Sequence, residues 1–260
     1  MTPRSVWVVG STAVRRVLAQ RGGLGVSVGF YLIVVSVLAG LWRAAATARG
    51  GSLAGWSGLE LTWYIAATEA ATVSLNVRLI DDIGSDIGSG AVAAELLRPA
   101  SVLTVRLVAE VGRTLPRIAV LGVAGVALAW FAAGAPPSAV GLLLAAPSLV
   151  LATTANLVAQ HAFAGSAFWL RSAGATWFLY QKLVFLLGGM LIPLELLPHA
   201  MRSVALALPF EAMAYAPGRL ASGHVEPVLL LVQVAWLGVL WAVAAAVFSA
   251  GERRLQVAGG

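Results

Sequence analysis

The sequence predicts an all-α membrane protein: six transmembrane helices, an N-terminal interfacial helix, and an extracellular re-entrant helical hairpin between spans 5 and 6. Three observations lead there. Apolar residues make up 60% of the chain and charged ones only 11%, with a mean hydropathy of +0.89, whereas a water-facing surface needs far more charge. Six apolar runs, near 24–46, 57–78, 116–134, 139–165, 173–193 and 226–250, each approach or exceed the roughly 20 residues a helix needs to cross a bilayer core. These runs are unbroken rather than alternating over ten-residue segments, which favours a helical bundle over a barrel. Residues 1–260 read as a single transmembrane domain.

In residues 1–22, Val6, Val9, Ala13, Val14, Val17 and Leu18 fall on one side of a helix and Arg15, Arg16, Gln20 and Arg21 on the other. That is the pattern of a helix lying in the membrane interface. Ala46-Thr47-Ala48 fits a small-x-small cleavage pattern, but the run before it is too long for a signal-peptide core, so it reads as a retained first span. With six spans and a cytoplasmic N-terminus, most arginines and the single lysine, Lys182, fall inside. Only Arg43, Arg49, Arg202 and Arg219 fall outside. Both termini are therefore expected in the cytoplasm of a multi-pass protein of the cell membrane.

The second span carries Glu69, nine residues before Arg78 and so about 13 Å deeper along a helix. A carboxylate there costs about 2.5 to 3.5 kcal/mol on insertion scales and must face the bundle, pair or be protonated. Two readings are open: a contact for a cationic substrate or a proton, and a structural partner for a neighbouring helix.

Residues 79–101 form a polar island between apolar runs. Gly84, Gly88 and Gly90 loosen the backbone, Ser89 caps a helix start, and Ala91 to Arg98 gives about two helical turns before Pro99. Val92 and Leu96 share one face beside an i, i+3 pair of Glu95 and Arg98. Such a helix suits a groove on a soluble partner, and it equally suits a solvated loop between spans.

Arg106, Glu110, Arg113 and Arg117 recur at helical spacing in one stripe, with Glu110 able to pair with both Arg106 and Arg113. Pro116 is the expected bend in that helix. On the fourth span Thr153, Asn156 and Gln160 share a face with His161 adjacent, as interhelical hydrogen-bond formers or as the lining of a polar path. Gly188 and Gly189 allow close helix approach or a kink in the fifth span. Residues 193–223 are too apolar for a plain loop, and Pro193, Pro198, Pro209 and Pro217 cut them into pieces too short to span. Short helices dipping into the outer leaflet follow, capping any path on that side.

Some chemistry is missing from the sequence. There is no phosphate-loop motif, no H-E-x-x-H, no G-x-S-x-G and no cysteine, so neither ATP binding by such a loop nor a metal or nucleophilic centre is expected. The net charge of +6 lacks interleaved aromatic residues, so it reads as topology and attraction to anionic membrane lipids rather than nucleic-acid binding.

The pieces together match a family pattern: six spans behind an interfacial helix, Gly88-Ser89-Gly90 followed by Glu95-Leu96-Leu97-Arg98-Pro99, and a late Gly-Met-Leu-Ile-Pro-Leu-Glu-Leu-Leu-Pro segment. The chain resembles type-2 ABC exporter permeases, in the small six-span branch with an E-L-L-R-P signature. The resemblance implies that 91–98 is a coupling helix seated on a separate ATPase through Val92, Glu95, Leu96 and Arg98. It implies two ATPase copies holding ATP and Mg, and a second permease, identical or a sister chain. It further implies an extracellular gate including Pro193, Glu195, Pro198 and Pro209, and export rather than import. Where relatives carry a basic residue, 81–89 has only Asp81, Asp82 and Asp86. Glu69, Asn156 and Gln160 are the candidate substrate-path residues. The alternatives are a non-transporting assembly or sensor subunit and a proton-coupled carrier using Glu69.

Overall fold

The computed structural model describes residues 3–96, 101–170 and 173–258. Among them lie eleven α-helices: α1 (Pro3–Ala19), α2 (Arg21–Ala48), α3 (Gly58–Val73), α4 (Leu79–Gly88), α5 (Val92–Leu96), α6 (Val102–Ala133), α7 (Ala139–Ala164), α8 (Gly174–Leu187), α9 (His199–Leu206), α10 (Tyr215–Ala221) and α11 (Val228–Ala258). A two-stranded hairpin, β1 (Ser52–Leu53) and β2 (Trp56–Ser57), joins α2 to α3. Its turn places Ala54 and Gly55 at φ 47° and 88°, the doubly left-handed geometry that matches strand twist in a two-residue loop.

Helix α3 is the axis of the bundle. Every residue from Leu61 to Ala71 is buried, under α2, α6, α7 and α10. Its start is a capping box: the Ser57 amide and hydroxyl both donate to Glu60 Oε2 at 2.7 Å, and the Glu60 amide donates back to Ser57 Oγ at 3.2 Å. This satisfies amides that would otherwise be orphaned at a buried helix end.

Among the described residues, four helical segments are long and apolar enough to cross a membrane: Gly22–Ala48, Val102–Ala133, Ala139–Phe168 and Val228–Leu255. The expected second and fifth spans are shorter helices. α3 has 16 residues and α8 has 14, or about 24 and 21 Å at 1.5 Å per residue. α3 stops where Ser74-Leu75-Asn76 turns the chain, with Asn76 Oδ1 accepting from the Arg78 amide at 3.1 Å. α8 stops at Gly188, and Gly189 adopts φ +67°, so the glycine pair ends the helix rather than kinking it.

The bundle has two distinct ends. At one, Arg43 near the end of α2 donates to the Ala132 carbonyl at the end of α6, at 2.6 Å. At that same end the start of α7 meets α10 so closely that a Cβ on Gly141 would lie 2.4 Å from the Leu220 carbonyl oxygen. At the other end Trp177, in the first turn of α8, donates to the Val77 carbonyl at 2.9 Å. There a Cβ on Gly251 of α11 would overlap Phe168, just past α7. Helix α3 runs from the first end, where Tyr64 donates to the Gly189 carbonyl, to the second.

The polar island differs from expectation. Residues 79–88 are a helix, not a loosened loop, because Leu79, Ile80, Ile83 and Ile87 recur on one face and are buried, against α7, α8 and the turn after α7. Ser89 is the C-cap of α4 rather than the N-cap of the next helix, and Gly90 supplies the left-handed residue, φ +77°, that turns the chain into α5. Helix α1 lies along α6, where a Cβ on Gly112 would stand 2.6 Å from the Gly10 carbonyl oxygen. α6 is a single helix through Pro116.

Candidate functional site

A cleft of about 210 Å³, mostly apolar with a strip of polar side chains, opens between the end of α3 with the turn after it, the second half of α7, and α8. Asn156 and Gln160, one turn apart on α7, both line it, joined by Tyr180 of α8. The Tyr180 hydroxyl and Gln160 Nε2, the latter at 3.0 Å, both donate to Asn156 Oδ1. Thr72 from α3, Asn76 from the turn after it and Gln181 from α8 complete the polar strip, while Trp177, Phe185 and Met190 give the cleft apolar and aromatic surface. The α7 residues were legible as a polar stripe. Tyr180 and Asn76 were not, because each sits alone in an otherwise apolar or turn-like context.

Glu69 is not part of this cleft. It is 4% exposed, and its Oε1 has no hydrogen-bond partner among the described residues. The Tyr31 phenol of α2 lies within electrostatic reach of it and is itself held by donation to the Ala66 carbonyl at 2.7 Å. Thr153 likewise turns back on its own helix, donating to the Leu149 carbonyl at 2.7 Å, and His161 Nδ1 meets the Leu157 carbonyl at 2.7 Å. A second cavity, of about 510 Å³ between α3, α6 and α7, is walled by alanine, glycine and branched aliphatic residues with Trp63. It has little means of orienting a polar group.

At the end where α3 finishes, one guanidinium joins three helices. Arg106 of α6 forks onto Glu95 of α5 at 2.9 and 2.7 Å and reaches Asp86 of α4 at 2.8 Å. The expected Glu95–Arg98 pair is thus not the contact Glu95 is seen to make. Arg98, and the side chain of Leu96, lie outside the described residues. Val92, expected on an outward ridge, is 1% exposed and belongs to the chain's own core. Asp81, Asp82, Ser89, Ala93 and Ala94 form the exposed surface of this corner instead. Because Arg106 is committed there, Glu110 pairs with Arg113 rather than with both arginines of the stripe.

At the opposite end the segment after α8 folds onto the β-hairpin. Pro193 is buried and begins a short turn of 3-10 helix, Leu194–Leu196. Pro198 starts α9 at the surface, and Pro209 is half-buried. Arg219 of α10 bridges Glu195 and Glu226. Tyr215 donates to Glu195, and the guanidinium carbon stands 5.9 Å from the Trp56 ring centroid. Trp56 in turn stacks with His224 at 4.4 Å and meets Tyr64 edge-on at 5.5 Å. The Arg219 hydrogen bond holds the Glu226 carboxyl below its ordinary range, and burial pushes the nearby Glu211 carboxyl up to about 7. Of this cluster the sequence singled out only Glu195. Trp56, Tyr64, Tyr215 and Arg219 come from three separate segments, and only Tyr215 and Arg219, one turn apart on α10, share a helical spacing.

A family model described as ABC-2 family transporter protein matches residues 32–259. No curated protein matches the chain.

Proposed function

Because the chain belongs to the ABC-2 transporter family, whose members are permease components of ABC transporters working with an ABC ATPase subunit, we propose that it forms the permease half of an ATP-driven exporter. In this reading two permeases, identical or sister chains, enclose the substrate path, and two ATPase copies carry ATP and Mg. All six apolar segments cross the membrane with both termini in the cytoplasm. The two short helices still connect toward opposite ends of the bundle, which supports their counting as crossings.

The observation that carries the reading is the α4–α5 corner. A tip, 88–94, exposed except for Val92, is built on a helix sunk into the bundle, and Arg106 ties that tip to α6 through the carboxylates on either side of it. A force applied at the tip by a soluble partner therefore has a rigid route into a long helix. At the other end the Arg219 cluster closes the segment containing Pro193, Glu195, Pro198 and Pro209 over the β-hairpin, as an outer gate would.

Purification of the tagged chain from native membranes in mild detergent, with identification of what accompanies it, tests the assignment. A phosphate-loop ATPase is expected, and Ala93→Asp, on the exposed surface of the tip, is expected to lose it while still inserting. Normal ATPase association and transport by that variant would refute the coupling assignment. A second reading, a proton-coupled carrier, draws on Glu69, whose Oε1 has no hydrogen-bond partner among the described residues, and requires that Glu69→Gln stop gradient-driven flux with no ATPase present.

A further inference from the structure

Among the described residues, the cleft between α3, α7 and α8 has no charged residue in its wall. The Lys182 ammonium, on the adjoining residue of α8, is turned onto the Phe178 ring, 5.0 Å from its centroid. A charged group entering the cleft would lose hydration with no counter-charge in the described wall to replace it, a cost wherever protein excludes water. Neutral polar groups fare differently. Asn156 Oδ1 is occupied by Tyr180 and Gln160, and among the described residues no hydrogen bond is made by the side-chain N–H groups of Asn156 or by Gln160 Oε1. The wall thus offers amide donors and an amide acceptor side by side, the pairing a hydroxyl or amide needs.

We propose that this cleft recognises the uncharged, hydrogen-bonding end of an amphipathic molecule, with Asn156 and Gln160 contacting its polar group and Trp177 and Phe185 its apolar or aromatic body. The proposal names a substrate class for the permease reading and rests on it only in taking the cleft as part of the path. About 210 Å³ is below the roughly 300 Å³ at which pockets enclose a drug-sized ligand, so the cleft takes one end of the molecule. Aromatic rings also attract cations, which makes a cationic probe the stringent comparison.

The test is equilibrium binding to the purified full chain in lipid nanodiscs, without nucleotide or ATPase, read as energy transfer from tryptophan to dansyl above empty nanodiscs. Three probes share one body: dansyl-ethanolamine, neutral with a hydroxyl; dansyl-glycine, anionic; and a dansyl-aminoethyl trimethylammonium, cationic. Saturable binding of the neutral probe is expected, with both charged probes weaker by about tenfold or more. Asn156→Leu and Gln160→Leu, each checked by gel filtration, should weaken the neutral probe by about tenfold, and Asn156→Asp should reverse the order in favour of the cation. Equal binding of a charged probe, no saturable binding of the neutral one, or indifference to both leucine variants overturns the proposal. Since no ATPase enters this assay, its failure is separable from failure to recover an ATPase, which would strike the permease reading itself.

Discussion

Gly218 shows how little room the outer segment leaves. A Cβ there would sit 2.5 Å from Thr68 Cγ2 and 2.8 Å from the Tyr64 ring, and Tyr64 cannot yield because its hydroxyl is held by the Gly189 carbonyl. Gly218→Ala is therefore expected to destabilise the chain by about 1 to 3 kcal/mol through overpacking, read as a lowered melting temperature in detergent. Charge at this end has a pH signature. Glu211, raised to about 7 from an ordinary 4.5, binds a proton more tightly folded than unfolded. Its contribution to stability is full below pH 4.5 and is lost as pH rises through about 7. Glu226 has the opposite sign: its folded value is depressed, so its contribution is present above the ordinary carboxylate range and fades as pH falls through the folded value. Glu211→Gln should thus raise the melting temperature at pH 8 and leave it unchanged at pH 4, a difference a two-buffer thermal scan resolves. At this scale the sequence spoke only where residues repeat at helical spacing, as Asn156 and Gln160 do. Trp56 meets the Tyr215 and Arg219 pair of α10 only through folding, and nothing local marks that meeting.

The α4–α5–α6 corner is the element on which coupling would depend, and one side chain holds it. Arg106 is largely buried with its two carboxylate partners on different helices, a geometry in which hydrogen bonds to charged groups contribute about 1.5 to 3 kcal/mol each. Arg106→Ala should leave the bundle folded but raise amide exchange across residues 79–96 by about tenfold or more, while exchange in α3 and α7 stays as it was. Unchanged exchange in 79–96 would mean that the apolar face of α4 alone fixes the corner. That face was present in the sequence as Leu79, Ile80, Ile83 and Ile87. It was masked by three aspartates and two glycines that read as loop chemistry, although the acidic residues near the start of α4 suit a helix N-terminus. The long spans were legible for a simpler reason: about 20 apolar residues in a row have few other fates. Where a short helix is finished by a turn, as at Ser74–Asn76 or Gly188–Gly189, hydropathy runs on past the true end and overstates the length.

For the molecule as a whole, the open choice lies between four long helices and six crossings, and the contacts between ends make it testable. If α3 and α8 both cross, the β-hairpin and the Arg219 cluster share one side of the membrane and the 88–94 tip takes the other. If α3 only dips and returns, Ser52 and Ser89 face the same compartment. Because the chain has no cysteine, a single introduced thiol is a clean reporter at either exposed position. In sealed, right-side-out cells Ser52→Cys should react with a membrane-impermeant maleimide, and Ser89→Cys should react only after permeabilisation. The positive-inside bias argues for that orientation, and the length of α3 does not argue against it, because its central residues, Leu61 to Ala71, lie inside a protein sheath rather than against lipid. A buried helix need not match the bilayer thickness, since its ends meet polar protein turns instead of acyl chains. Labelling of both thiols from outside would remove α3 from the crossings and, with it, any route from the 88–94 tip to an ATPase in the cytoplasm.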